Sequence, residues 1–252
     1  MTGLKRMVDF LDRTLKVAEF KDDSHNGLQV ENSGKVRRVC VGVDASLAFF
    51  KRAAECKADL VICHHGLSWG DSLKRITDLN YRRVKFLMDH DMALYACHLP
   101  LDAHPVLGNN ARICREFGVR PLEAFGAYHG VPLGFSGSLP KTVAYGEFKK
   151  QAHRLFGNTV CTLDFGKRMV RTVAVVSGGA ADQIAEAGQK GIDVYVSGEP
   201  KLIAHHLAEE YGINAIFAGH YATEGFGVKA VGDVIRKRFK VDVEFIDMGI
   251  RL

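Results

Sequence analysis

At 252 residues, 47% hydrophobic and 25% charged, the chain has the make-up of an ordinary soluble protein of one large or two modest domains. No apolar run approaches the roughly 18–20 residues of a membrane helix, and residues 1–16 mix charge with apolar side chains where a signal peptide would carry an apolar core, so a cytoplasmic location is expected. The net charge of +5 permits weak attraction to phosphates or nucleic acid without indicating it: its densest clusters, Arg236-Lys237-Arg238 and Lys149-Lys150, read as solvated helix faces with no recognition motif beside them.

Apolar spacing of three and four predicts an amphipathic helix over residues 7–20. Strands at 36–43, 60–63 and 93–97 follow, with helices at 47–58, 81–90 and 109–117. A second set opens with a strand at 133–138, a helix at 145–156 and strands at 160–163, 171–176 and 194–196, with helices at 182–190 and 201–211. A strand at 215–218, a helix at 227–239 and a strand at 241–246 complete the chain. Alternating strands and helices predict an α/β fold of mainly parallel βαβ units in two domains. Glycine and proline thicken between Phe125 and Pro140, which places a boundary near residue 125. The expected division is a first α/β domain of 1–125 plus 221–252 and a second of 126–220.

Cys40, Cys56, Cys63, Cys97, Cys114 and Cys161 fall singly in these segments, make no CxxC pair and read as small buried apolar residues. Cys63 and Cys97 each precede a histidine, but alternation turns them away from a site that the histidines face.

Three stretches carry the chemistry: Cys63-His64-His65-Gly66, His98-Leu99-Pro100-Leu101-Asp102 and Gly219-His220-Tyr221-Ala222-Thr223-Glu224. Each places imidazole or carboxylate where an apolar strand stops, the edge at which open α/β sheets build their sites. These are the donors that hold zinc, iron, manganese or nickel. His64 and His65 are neighbours in extended chain and point to opposite sides, so they would serve two ions more easily than one. His64, His65, Asp102, His220 and Glu224 supply five ligands for two divalent ions per subunit, zinc, iron, manganese, nickel or magnesium, in an inter-domain cleft, with His98 as a sixth candidate. The four-residue steps from His98 to Asp102 and from His220 to Glu224 suit a helical turn or a tight loop.

Other histidines lack this context. His25, His90, His129, His153 and the pair His205-His206 are assigned to solvent, caps or packing, and His104 to the start of a helix at Pro105. Asp44 ends a strand and reads as a helix cap before a ligand support. The turns Ser177-Gly178-Gly179-Ala180 and Ser197-Gly198-Glu199-Pro200 lie between strand and helix, where backbone N–H groups can hold an anion or glycine can simply permit a tight turn. Glu199 is a candidate general base or an ordinary helix N-terminal acid.

Together, His64-His65, the run from His98 to Pro105 with Gly108-Asn109-Asn110 behind it, Gly219 to Glu224, and Asn26-Gly27-Leu28-Gln29-Val30 resemble the signature of the Nif-three-like dinuclear metal-centre hexameric proteins. The likeness spans nearly the whole chain, in the short bacterial form of the family. Gly66 stands where the family usually has proline. The resemblance implies two metal ions on His64, His65, Asp102, His220 and Glu224, and a toroidal homohexamer with its sites facing an inner cavity. It also implies kinship with type 2 homologues of GTP cyclohydrolase 1, in which hydroxide would attack guanine C8 of GTP, with Glu199 or His98 shuttling the proton. Two other readings stay open: a metal-dependent phosphoesterase, and a ring-shaped metal-binding scaffold or nucleic-acid-binding protein without turnover.

Overall fold

The computed structural model describes residues 2–157 and 161–252. In chain order its elements are β1 (Thr2–Gly3), α1 (Leu4–Leu15), β2 (Gly27–Val30), β3 (Lys35–Val36), β4 (Arg38–Asp44), α2 (Leu47–Glu55), β5 (Leu60–His65), α3 (Asp78–Asp89), β6 (Ala93–Ala96), α4 (Leu99–Asp102), α5 (Asn109–Glu116), β7 (Arg120–Tyr128) and β8 (Val131–Ala144). They continue with α6 (Tyr145–Phe156), β9 (Cys161–Asp164), β10 (Met169–Val176), α7 (Ile184–Gln189), β11 (Val194–Ser197), α8 (Leu202–Tyr211), β12 (Asn214–Phe217), α9 (His220–Phe239) and β13 (Asp242–Phe245). The strand expected over 160–163 begins at a residue outside the described ones.

The chain divides into two compact units, Met1–Leu101 with Gly227–Gly249, and Asp102–Phe226 with Ile250–Leu252. The first carries a five-stranded sheet in the order β13-β4-β5-β6-β2. Its β13/β4, β4/β5 and β5/β6 pairings are parallel, and β2 closes the edge antiparallel to β6. One face is covered by α2 and α3, where Phe49, Phe50, Ala53, Val84 and Leu87 pack on Cys40, Val61, Cys63 and Leu94. Toward the other face, α1 buries Leu4, Met7, Leu11 and Leu15 at helical spacing. Gly232 of α9 lies so close to Val41 and Val243 that a Cβ there would touch both side chains.

The second unit has a six-stranded sheet in the order β7-β8-β10-β11-β12-β9. Its β10/β11/β12 centre is parallel, and the flanking pairs are antiparallel. Alternation decides which helix covers which face: Val173, Val175, Val194, Val196 and Ile216 join one cluster with residues of α5 and α6. Ala174, Val176, Tyr195, Ala215 and Phe217 join another with residues of α7 and α8.

The largest departure from the sequence reading is the hairpin of β7 and β8, where a single strand at 133–138 was expected. The turn holds His129 at φ 49° and Gly130 at φ 81°, the left-handed pair of a tight hairpin. Three of the glycines that suggested a boundary near residue 125 are inside this packing, because a Cβ on Gly126 or Gly134 would meet Val176 and one on Gly137 would meet Pro121. Residues 102–125 accordingly belong with the second sheet. The last long helix also begins at His220 rather than 227, so His220 and Glu224 occupy its first two turns.

Candidate metal centre

In the first unit, β5 ends on His64 and His65, and His98 follows two residues after β6. His64 is fully buried, with Nδ1 2.9 Å from the carbonyl oxygen of Cys97. A carbonyl only accepts, so Nδ1 carries the proton and the lone pair sits on Nε2. His65 Nδ1 is 2.8 Å from Oδ1 of Asp44, and His98 Nδ1 is 3.1 Å from both oxygens of Asp22. Carboxylates again fix the proton on Nδ1, the arrangement that orients and strengthens metal-binding imidazoles.

The three rings converge, with centroids 4.7 Å apart for His64 and His65, 5.1 Å for His64 and His98, and 5.6 Å for His65 and His98. One ring nitrogen from each lies within 4.8 Å of the others. Adjacent in β5, His64 and His65 nevertheless bring their rings to within 4.7 Å of each other, so the expected separation onto opposite sides does not keep them apart.

The loop after the pair is clamped from β2. Gln29 Oε1 accepts from the backbone N–H of Leu67 at 2.7 Å and of Ser68 at 3.1 Å, while its Nε2 donates to the carbonyl of His25. Gly66 fills the space beneath: a Cβ there would collide with the Gln29 amide and the Ala96 methyl. This is the physical reason that the smallest residue follows the histidines.

In the second unit, His220 Nδ1 lies 2.6 Å from Oε1 of Glu199, and His220 Nε2 lies 3.1 Å from Oε1 of Glu224. Two donors on one ion, with bonds of about 2.0–2.2 Å, stand roughly 3–3.5 Å apart, so the His220–Glu224 spacing suits an ion as well as a proton. With no ion bound, burial pushes the His220 imidazole down, but the hydrogen bonds and charges of Glu224 and then Glu199 outweigh it and lift the pKa to about 9. Glu224 itself is nearly fully buried.

Two glycine turns let this helix start approach. A Cβ on Gly178 would strike Glu224, and one on Gly198 would lie 2.9 Å from the His220 Cα. The N–H groups of Gly198 and Glu199 donate to the Gly178 carbonyl, and that of Gly178 donates to Oγ1 of Thr223. These donors are spent inside the protein, which removes them from the anion-binding role considered for the turns. Asp102, buried at the end of α4, has its Oδ1 bonded by Nδ2 of Asn109 at 2.8 Å and Oγ of Ser177 at 3.3 Å.

The first unit thus gathers His64, His65 and His98, and the second pairs His220 with Glu224 and carries Asp102 on its own partners, Asn109 and Ser177. Glu199 serves as the Nδ1 partner of His220, and His98 stands inside the histidine group. Asp44 supports His65 instead of capping α2, a task that Oγ of Ser46 performs by accepting from the N–H of Phe49. His104 caps the turn of Val106 and Leu107, and His90 bonds the Phe86 carbonyl at the end of α3. No cysteine belongs to a metal-capable group among the described residues. Asp22 carries no local signal of this role, since it lies among Asp23, Ser24 and Asn26 in a stretch with the composition of any polar turn.

Residues 2–250 match the family model described as Duf34/NIF3 (NGG1p interacting factor 3). A protein of Archaeoglobus fulgidus named GTP cyclohydrolase 1 type 2 homolog is 42% identical over 250 residues, 99% of this chain and 100% of the relative. Among solved structures, protein ybgI, of unknown function, superposes with a TM-score of 0.93 at 32% identity, and TTHA1606 from Thermus thermophilus with 0.89 at 36%. Both likenesses cover the whole of each chain.

Proposed function

This chain belongs to the Duf34/NIF3 family, and from that premise we propose that it is a metal-dependent hydrolase with two divalent ions held by His64, His65, Asp102, His220 and Glu224, and His98 as a further donor. The observation that carries the proposal is the state of the four imidazoles. Each has its Nδ1 on an oxygen of its own unit, Cys97, Asp44, Asp22 or Glu199. Such a bond alone does not mark a ligand, since His90 makes one to the Phe86 carbonyl; here it is joined to the convergence of ring nitrogens of His64, His65 and His98 within 4.8 Å, which packing does not require and a ligand set with its rings held does. The donor set is wholly nitrogen and oxygen, which suits zinc, manganese, iron or nickel.

When bound, such ions supply Lewis acidity, polarising a substrate atom and lowering the pKa of water toward neutrality. The chain's own residues do the rest. Asp44, Asp22 and Glu199 keep the rings in the ligating tautomer, and Asn109 and Ser177 orient the Asp102 carboxylate. Glu199, half-exposed beside His220, would also accept a proton in the reaction.

The relatives' name makes GTP the first substrate to test, with opening of the guanine imidazole ring as the reaction. A toroidal homohexamer is part of the same proposal and would give a solution mass six times that of the chain. The experiment is metal analysis of the purified protein and of H65A and E224A, one from each unit, followed by turnover assays with the restored metal on GTP and a panel of phosphate esters. Both variants should lose ions while keeping the native far-UV circular dichroism. Unchanged ion content in both would overturn the site. Absence of metal-dependent turnover of GTP would overturn the substrate.

A further inference from the structure

Trp69 is the chain's single tryptophan, and its indole stands at the rim of the histidine group. Its ring centroid is 4.9 Å from that of His98 at an interplanar angle of 67°, and 5.9 Å from that of His65 at 50°. The ring is held in place. Nε1–H donates to the Gly66 carbonyl at 2.8 Å, and the Trp69 backbone N–H donates to Oγ of Ser72 at 2.8 Å. A bridge pairs Trp69 with Ser24, and the next N–H, from Gly70, donates to the Asp23 carbonyl at 2.8 Å. The residue is nevertheless only partly buried.

We propose that Trp69 is a specificity-determining residue, the platform on which a planar heteroaromatic ring of the substrate stacks, so that the site selects nucleotide-like molecules over sugar phosphates. The proposal rests on the hydrolase reading for its setting. A side chain that merely kept water from the histidines would need bulk but no fixed plane. Here the N–H of the indole is tied to the same glycine that follows the ligand pair, so the orientation of the ring is coupled to that of His65. A rigid aromatic surface loses little conformational entropy when a ligand settles on it. Stacking of one base on an aromatic side chain contributes roughly tenfold to a hundredfold in affinity.

The test reads binding and does not depend on turnover. The full chain loaded with zinc, and the variants W69F and W69L, are titrated with GMP, AMP, UMP and ribose 5-phosphate by calorimetry, and the native tryptophan emission is followed in parallel. The native protein should bind the three nucleotides at least about tenfold more tightly than ribose 5-phosphate, with quenching of Trp69. W69L should lose that preference while its affinity for ribose 5-phosphate stays within about twofold, and W69F should keep most of it. Zinc content and circular dichroism should be the same in all three. A nucleotide preference that survives in W69L, no preference in the native protein, or loss of zinc from W69L overturns the proposal. A protein that discriminates the ring yet hydrolyses nothing overturns the hydrolase reading and upholds the platform.

Discussion

Oδ1 of Asp44 lies 2.8 Å from Nδ1 of His65, at matching positions of adjacent parallel strands, because Asp44 pairs with His65 in the β4/β5 register. The backbone alignment thus delivers the carboxylate to the imidazole. Asp44 is partly exposed and its neighbour Ser46 caps α2, so D44A should leave the fold intact. Loss of such a supporting carboxylate costs about 10–100-fold in metal affinity. Chelator competition against the native protein checks this, and equal affinities would contradict the role.

His220 predicts a pH dependence for metal uptake. Its pKa of about 9 with no ion bound means that it is protonated at pH 7, and an ion requires the neutral ring. Binding at pH 7 should release close to one proton from this residue, and affinity should climb with pH until about 9. Calorimetry in buffers of different ionisation enthalpy counts the proton. E199Q removes one of the two charges that raise the pKa, so the climb should end at lower pH.

Asp22 ties His98, Asn26, Ser24 and Leu99 to one carboxylate. Burial raises its pKa, but the hydrogen bonds from His98 and Asn26, the charge of His98 and the Ser24 N–H prevail and hold it at about 2. The folded value lies below the unfolded one of about 3.9, so the stabilisation is complete above pH 4 and lost as pH falls toward 2. It amounts to something on the order of 2 kcal/mol. D22N should lower the midpoint of urea unfolding at pH 6 and narrow its difference from the native protein near pH 2.

Gly66 should resist substitution. G66A places a methyl group against Gln29 and Ala96, and overpacking of this kind costs about 1–3 kcal/mol. A thermal melt measures the loss. The double variant G66A/Q29A should recover part of it, since Gln29 is one of the two obstacles, although the loop N–H groups of Leu67 and Ser68 would lose their acceptor.

What the sequence made legible was the part of the site written in local pattern. His64, His65, His98 and His220 each follow an apolar run of strand length, and the four-residue step from His220 to Glu224 is a helical one. The supporting residues were not legible, because their partners are remote: Asp22 meets His98 across 76 positions, and Ser177 meets Asp102 across 75. Asp44 was visible as a strand end, but its choice between a helix cap and a histidine depended on Ser46 two residues later. The hairpin of β7 and β8 was hidden by its own glycines, which resemble a linker in composition, whereas Gly126 and Gly134 bring backbone against Val176 and Gly130 makes the turn. Trp69 lay beyond pattern reading, since nothing in its neighbours announces that the loop returns to the histidines.

The absence of sulfur from the gathered donors sets what would unload them. Thiolate-held zinc is shed when peroxide or a disulfide oxidises its ligands, but Cys63 lies fully buried with its thiol pushed up by burial and then by the charge of Asp44. Ions gripped by imidazole and carboxylate alone would outlast such oxidants and leave when the medium turns acid, so the loading of this protein would answer to protons rather than to redox poise.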